Sequence, residues 1–173
     1  MTDTMPKTDW MPRPQHIWAA APNDRREIRS LTHVVEDAVC NVEEHSLRPW
    51  RGPGAGDRDT KRMLALLSWS YARQLYSSAA IHARLRAGQM AELWEGETPK
   101  EQDLRCFRDE NRHALERCLH AALRFLAAQK VAEGLVTRFN EADIAAEASR
   151  RIIAATFIDS TEAAARTTVN GLP

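Results

Sequence analysis

Residues 61–85, KRMLALLSWSYARQLYSSAAIHARL, and residues 98–119, TPKEQDLRCFRDENRHALERCL, carry the reading that decides the fold. In the first, Leu64, Leu67, Tyr71 and Leu75 recur three or four residues apart, the spacing of one apolar helical face. The tandem serines Ser77 and Ser78 then interrupt the helix and cap the next, because a serine hydroxyl accepts from backbone N–H groups left unpaired at a helix start. The second stretch begins as a capping box, with Thr98 at the N-cap, Pro99 at the first helical position and Glu101 three residues on from the cap. A helix, a tight serine turn, a short helix and a capped helix with basic residues on its outer side form a helix-turn-helix-like core.

Working outward, residues 1–22 hold Pro6, Pro12, Pro14 and Pro22 together with Trp10 and Trp18, which predicts an extended or disordered arm. Asn23 and Asp24 are placed to cap a helix reaching Val42, with Ile28, Leu31, Val35, Ala38 and Val42 inward. Residues 43–60 read as a loop punctuated by Pro49, Gly52, Pro53, Gly54 and Gly56, with Asp59 as a cap for the helix that follows. Gly88, Gly96 and Gly134 mark stops, and a bend is expected near Asp109 to Arg112. Leu115, Leu119, Ala122 and Leu126 repeat in an a/d-like pattern suited to a homodimer seam. Asn140 starts a last Ala-rich helix through Ile144, Ala148 and Ile152. The segment AATFID near Asp159 has the one strand-like alternation, and residues 167–173 read as frayed. The expected fold is all-α: an arm over 1–22, a helical domain over 23–134 and a C-terminal helical extension over 135–173.

Composition narrows the function. The chain is 43 % hydrophobic, enough for one good core, and balances 24 Lys and Arg against 24 Asp and Glu. Zero net charge gives no compositional case for nucleic acid, so such a partner requires a local basic face. Cys40, Cys106 and Cys118 are odd in number and show no CxxC spacing, which fits a reduced, cytoplasmic setting; no membrane span or signal core is expected. Cys106, His113, Cys118 and His120 are spaced so that they diverge on a helix, and no metal or cofactor is expected. Nucleophile elbows, phosphate-binding glycine loops and HExxH are absent from the sequence, so no enzyme is expected.

A basic face is available. Taken as a helix, the Thr98 segment sets Arg105, Arg108 and Arg112 on one flank, with Lys100 and Gln102 near its start and Leu104 and Phe107 inward. Arg bonds guanine bidentately, Gln reads adenine and further cations neutralise phosphates, as a reader of double-stranded DNA requires. The preceding loop adds Arg48, Arg51, Arg58, Lys61 and Arg62. The competing interpretation is a solvated helix face compensated by Asp103, Asp109 and Glu110.

The order of these pieces resembles the N-terminal helical domain of insertion-sequence transposases of the InsH type. The matching residues are Arg51-Gly52-Pro53-Gly54, Met63 to Leu67, Tyr76-Ser77-Ser78, Thr98 to Phe107-Arg108, and Leu115 to Gly134; Ala79 departs from the basic residue the family carries there. The resemblance spans residues 29–134. It implies a DNA-binding or assembly role, followed in that family by a catalytic domain with an Asp-Asp-Glu metal site. Matching one family segment places Asn140 at the first catalytic Asp, an amide that cannot supply the charge two metal ions need, and matching another places Asp159 there, without the family's second and third catalytic carboxylates downstream. The expectation is therefore a non-catalytic DNA-binding module, a domesticated regulator or a truncated transposase. The alternative expectation is a helical protein–protein interaction or dimerisation module.

Overall fold

Ser30 starts the first helix: its extended backbone leaves its Oγ free to accept the N–H of His33 at 3.3 Å. The computed structural model describes residues 30–52 and 56–170. It contains α1 (Leu31–Cys40), a 3₁₀ turn (Glu44–Ser46), α2 (Asp57–Ala72), α3 (Ser78–Arg86), α4 (Glu101–Glu110), α5 (Arg112–Ala132) and α6 (Glu141–Asn170). No strand occurs among the described residues, and the architecture is all-α. Helix α1 begins after Ser30; the expected caps Asn23 and Asp24, like the expected N-terminal arm with Trp10 and Trp18, lie outside the described residues.

Each element ends for a local reason. Ser77 caps α3 by accepting the Ala80 N–H at 3.2 Å, as the tandem serines predict. Helices α3 and α5 close on Gly88 and Gly134, with φ of 69° and 72°, a conformation only glycine adopts without cost. Helix α2 ends in the same turn on Gln74, at φ 62°: Leu75 N–H reaches Ser70 O at 2.8 Å and Gln74 N–H reaches Tyr71 O at 3.1 Å. Asn140 caps α6, its Oδ1 accepting the Ala142 N–H at 3.0 Å.

Three boundaries depart from the sequence reading. Helix α4 starts at Glu101 instead of beside Thr98, and Asp103 supplies the capping carboxylate, accepting the Lys100 N–H at 2.8 Å. The residues before it are held extended by two bonds: Trp94 Nε1 donates to Glu97 O at 2.9 Å, and His82 Nδ1 lies 2.8 Å from Pro99 O. Asp59 is the third residue of α2, accepting the Gly56 N–H at 2.8 Å, so the helix begins earlier than expected. The AATFID segment is helical, and α6 continues unbroken to Asn170; positions 152, 155 and 159 lie on one helical face and pack inward.

Helix α5 is the centre of the arrangement, packed against α1, α2 and α6. Leu115, Leu119, Ala122 and Leu123 are buried there with Met63, Leu64, Leu67 and Tyr71 of α2 and Val35 and Val39 of α1. The a/d repeat is thus the chain's own seam, and those leucines are unavailable to a second copy. Asn111 makes the bend between α4 and α5. Its amide clamps the incoming loop, with Arg48 N–H to Asn111 Oδ1 at 2.8 Å and Nδ2 to Arg48 O at 3.1 Å.

Candidate functional site

The row of Arg105 and Arg108 on α4 and Arg112 at the start of α5 is where the sequence placed the function. In the structure Arg108 is buried, Arg105 is half-buried and Arg112 is exposed. Arg108 is 2 % exposed and donates through Nη1 to Asp159 Oδ2 at 2.5 Å; Asp159, also 2 % exposed, sits on the inner face of α6. Asp159 further accepts the Ser78 N–H at 2.8 Å and the Ser78 Oγ–H at 2.6 Å. Arg105 stands 3.8 Å from the same carboxylate and 3.4 Å from Glu101, which also receives Arg166 of α6 at 2.7 Å. Ser77 Oγ donates to Glu162 at 2.8 Å. One carboxylate therefore ties together the first turn of α3, the last turn of α4 and the far half of α6.

The electrostatics follow from burial. Burial disfavours the charge on Arg108, but the Tyr71 oxygen, 3.5 Å from Nη1, and the bond to Asp159 outweigh it and hold the guanidinium protonated. Burial pushes the Tyr71 hydroxyl up to about 12, with Arg108 opposing that shift. A buried charge with this many partners is satisfied, and it presents nothing to solvent. Arg108 is therefore corrected from a groove-contacting side chain to an internal fastener, while Arg105, 20 % exposed, is drawn to Glu101.

The remaining predicted residues divide by surroundings. Arg112 pairs with Glu116 at 3.3 Å, Lys61 with Glu44 at 3.4 Å, and Arg62 with Asp59 at 3.6 Å and Glu95 at 3.5 Å. Gln102 donates to Cys106 Sγ at 3.2 Å. Arg51, Arg58 and Lys100 are exposed, without an ion-pair partner among the described residues. The loop and α4 do meet: Arg48, Pro49, Trp50 and Arg51 share an open cleft of about 530 Å³ with Asp103, Cys106, Phe107 and Glu110. Yet the α4 side that joins them carries Asp103 and Glu110, while the arginines sit on the opposite side. Trp50 anchors this loop edge-on to Trp94 with ring centroids 5.4 Å apart, and a Cβ at Gly52 would lie 2.0 Å from the Trp50 ring, so only glycine fits.

Cys118 is buried and Cys40 and Cys106 are exposed; among the described residues no three His, Cys, Asp or Glu converge on a metal position. Among the same residues no helix is long and apolar enough to cross a membrane. Sequence reasoning missed Asp159 as an organising residue. Its signal is the continuation of the Ala148–Ile152 stripe by three and then four residues to Ala155 and Asp159, which places an acid on a buried face.

Besides the exposed cations Arg51, Arg58 and Lys100, the protein presents large apolar side chains to solvent. On the outer side of α6, Ile153 is 54 % and Phe157 71 % exposed, one helical turn apart. These features define an all-α protein with an ion-paired interior and an apolar strip along its longest helix. No family model, no curated protein and no solved structure matches the chain.

Proposed function

We propose that the chain is a non-catalytic helical assembly module of the transposase N-terminal type, which joins protein to protein and does not read a duplex with α4. The observation that carries this reading is the exchange of faces: the Arg108 guanidinium is closed on Asp159 and that of Arg105 is drawn to Glu101, while Ile153 and Phe157 stand in solvent. Large exposed apolar side chains adjacent on one helix mark an interaction surface. Light scattering coupled to size exclusion tests it; association that strengthens with salt, as apolar contacts do, supports the module.

A second reading rests on Arg48, Arg51, Arg58 and Lys100, exposed and without carboxylate partners among the described residues. Four such side chains on a duplex give an affinity that falls with salt at a slope of about 3–4, near 0.9 per phosphate neutralised. A fluorescence titration at several salt concentrations decides. A steep slope that Arg48→Ala with Arg51→Ala lowers by about 2 favours duplex contact. Flat, weak retention favours the assembly module.

A further inference from the structure

We infer that the donors gathered around the Asp159 carboxylate form a binding site for a phosphate group, with Asp159 as its built-in plug. The inference does not depend on the assembly reading, because it concerns the inner face of α6 and not the outer one.

The argument is a count of donors against acceptors. Four donors from α3 and α4 converge on this carboxylate. Ser78 gives its N–H at 2.8 Å and its Oγ–H at 2.6 Å, and Arg108 gives Nη1 at 2.5 Å. The fourth, Arg105 Nε, stands 3.8 Å from Asp159 Oδ2, beyond hydrogen-bond reach. That nitrogen is buried and has no hydrogen-bond partner among the described residues. The Ser78 N–H takes one carboxylate oxygen, Ser78 Oγ and Arg108 take the other, and none is left for Arg105. A phosphate monoester presents three oxygens on a tetrahedral centre, one more than Asp159 offers, for the donor left over. Its double charge also matches two guanidinium groups better than a single carboxylate does. A helix start, a serine and two arginines are the donor set that suits phosphate. Glu101 and Asp109 touch the same guanidinium groups, at 3.4 and 3.3 Å, but Glu101 is shared with Arg166 and Asp109 faces solvent. Their charge limits the affinity, so a dissociation constant on the order of 1 mM is expected.

The way in is past the end of α6. Beyond Ala155, Asp159 is the one buried residue of this helix among those described, with Ile158, Glu162 and Ala163 half-buried. The second half of α6 is therefore held mostly by polar fasteners and little by apolar packing. Outside the cradle these are Ser77 Oγ to Glu162 at 2.8 Å and Arg166 to Glu101 at 2.7 Å, both partly in solvent. Pairs of that kind are weak. The end of α6 can lift, taking the Asp159 carboxylate with it, while Ala148 and Ile152 stay packed.

Urea unfolding of the full chain, with inorganic phosphate replacing chloride at constant ionic strength, is the test. In Asp159→Ala the plug is gone, and the folded-to-unfolded ratio should rise saturably, about 10-fold at phosphate ten times its dissociation constant. Phosphate also stabilises proteins without a site, so the reference is Asp159→Leu with Arg108→Met, which should lack the saturable rise. Acetate should give less than phosphate, and adding Arg105→Met should remove that difference. Glu162→Ala with Arg166→Ala loosens the plug from outside the cradle and keeps the test open if Asp159→Ala does not fold. By phosphorus NMR that variant should bind phosphate on the order of 10-fold more tightly than the wild type does. N-acetyl-O-phosphoserine amide separates the sources: tighter binding than inorganic phosphate assigns the site to a phosphorylated partner, weaker binding to the free ion. A phosphate response in Asp159→Ala no larger than in the reference overturns the site. Acetate equal to phosphate overturns the phosphate assignment, and equal affinity in the loosened variant and the wild type overturns the plug.

Discussion

At the scale of single residues the decisive pair is Arg108 and Asp159. Removing one partner of a buried ion pair leaves a charge that water cannot reach, which is costlier than never having had the pair. Asp159→Ala is expected to destabilise by about 3–5 kcal/mol in urea unfolding, because Arg108 and the Ser78 hydroxyl both lose their acceptor. Asp159→Leu combined with Arg108→Met should recover most of that loss, since two apolar groups bury without needing partners. If the double variant is as unstable as the single one, the penalty comes from packing and not from charge. The cysteines separate in the same way. Burial pushes the Cys118 thiol up to about 11, so its thiolate is scarce near neutral pH. A thiol reagent at pH 8 should modify Cys40 and Cys106 quickly and Cys118 only on denaturation; prompt reaction at all three would place Cys118 outside the core.

At the scale of elements, what was legible depended on whether the signal is local. Ser77, Gly88, Gly134 and Asn140 act on their own backbone or within a turn of it, and each ends or starts a helix where the sequence placed it. The Thr98 cap failed because Trp94 and His82, both upstream in the chain, hold the Glu97 and Pro99 carbonyls and keep that segment extended. The direction of the arginine row was equally illegible. Arg105 and Arg108 border the apolar face of Leu104 and Phe107, and only a carboxylate 51 residues further on from Arg108 determines that they turn inward. Residues near the edge of an amphipathic stripe go either way until their long-range partner is known. Gln74 is the local signal that was absent, since nothing in its neighbourhood announces a left-handed turn. A non-glycine residue in that conformation costs about 1–2 kcal/mol, partly offset by the larger unfolded-state entropy of glycine. Gln74→Gly is therefore expected to stabilise by about 0.5–1 kcal/mol, read as a higher Tm; a lower Tm would mean that the Gln74 side chain itself holds the turn.

At the scale of the whole molecule, the interior keeps the Tyr71 hydroxyl and the Cys118 thiol protonated as long as it stays folded. Tyr71 lies between α4 and α6 with its hydroxyl raised to about 12, and Cys118 packs from α5 against α2 with its thiol raised to about 11. Unfolding returns them to about 10 and about 9. Between pH 9 and 12 the unfolded chain therefore holds fewer protons than the folded one, and stability must fall as pH rises. The contribution is fully present below about pH 9 and is lost by about pH 12. Two pK units on a fully buried group correspond to about 2–3 kcal/mol. Urea unfolding at pH 8, 10 and 11 should show a loss that begins near pH 9, led by Cys118 and followed by Tyr71. Tyr71→Phe together with Cys118→Ala should remove most of that slope while keeping the fold, because both side chains are apolar and close in size to those they replace. A wild-type slope that persists in the double variant would assign alkaline unfolding to other groups and release Tyr71 from its place between the Arg108 guanidinium and the core.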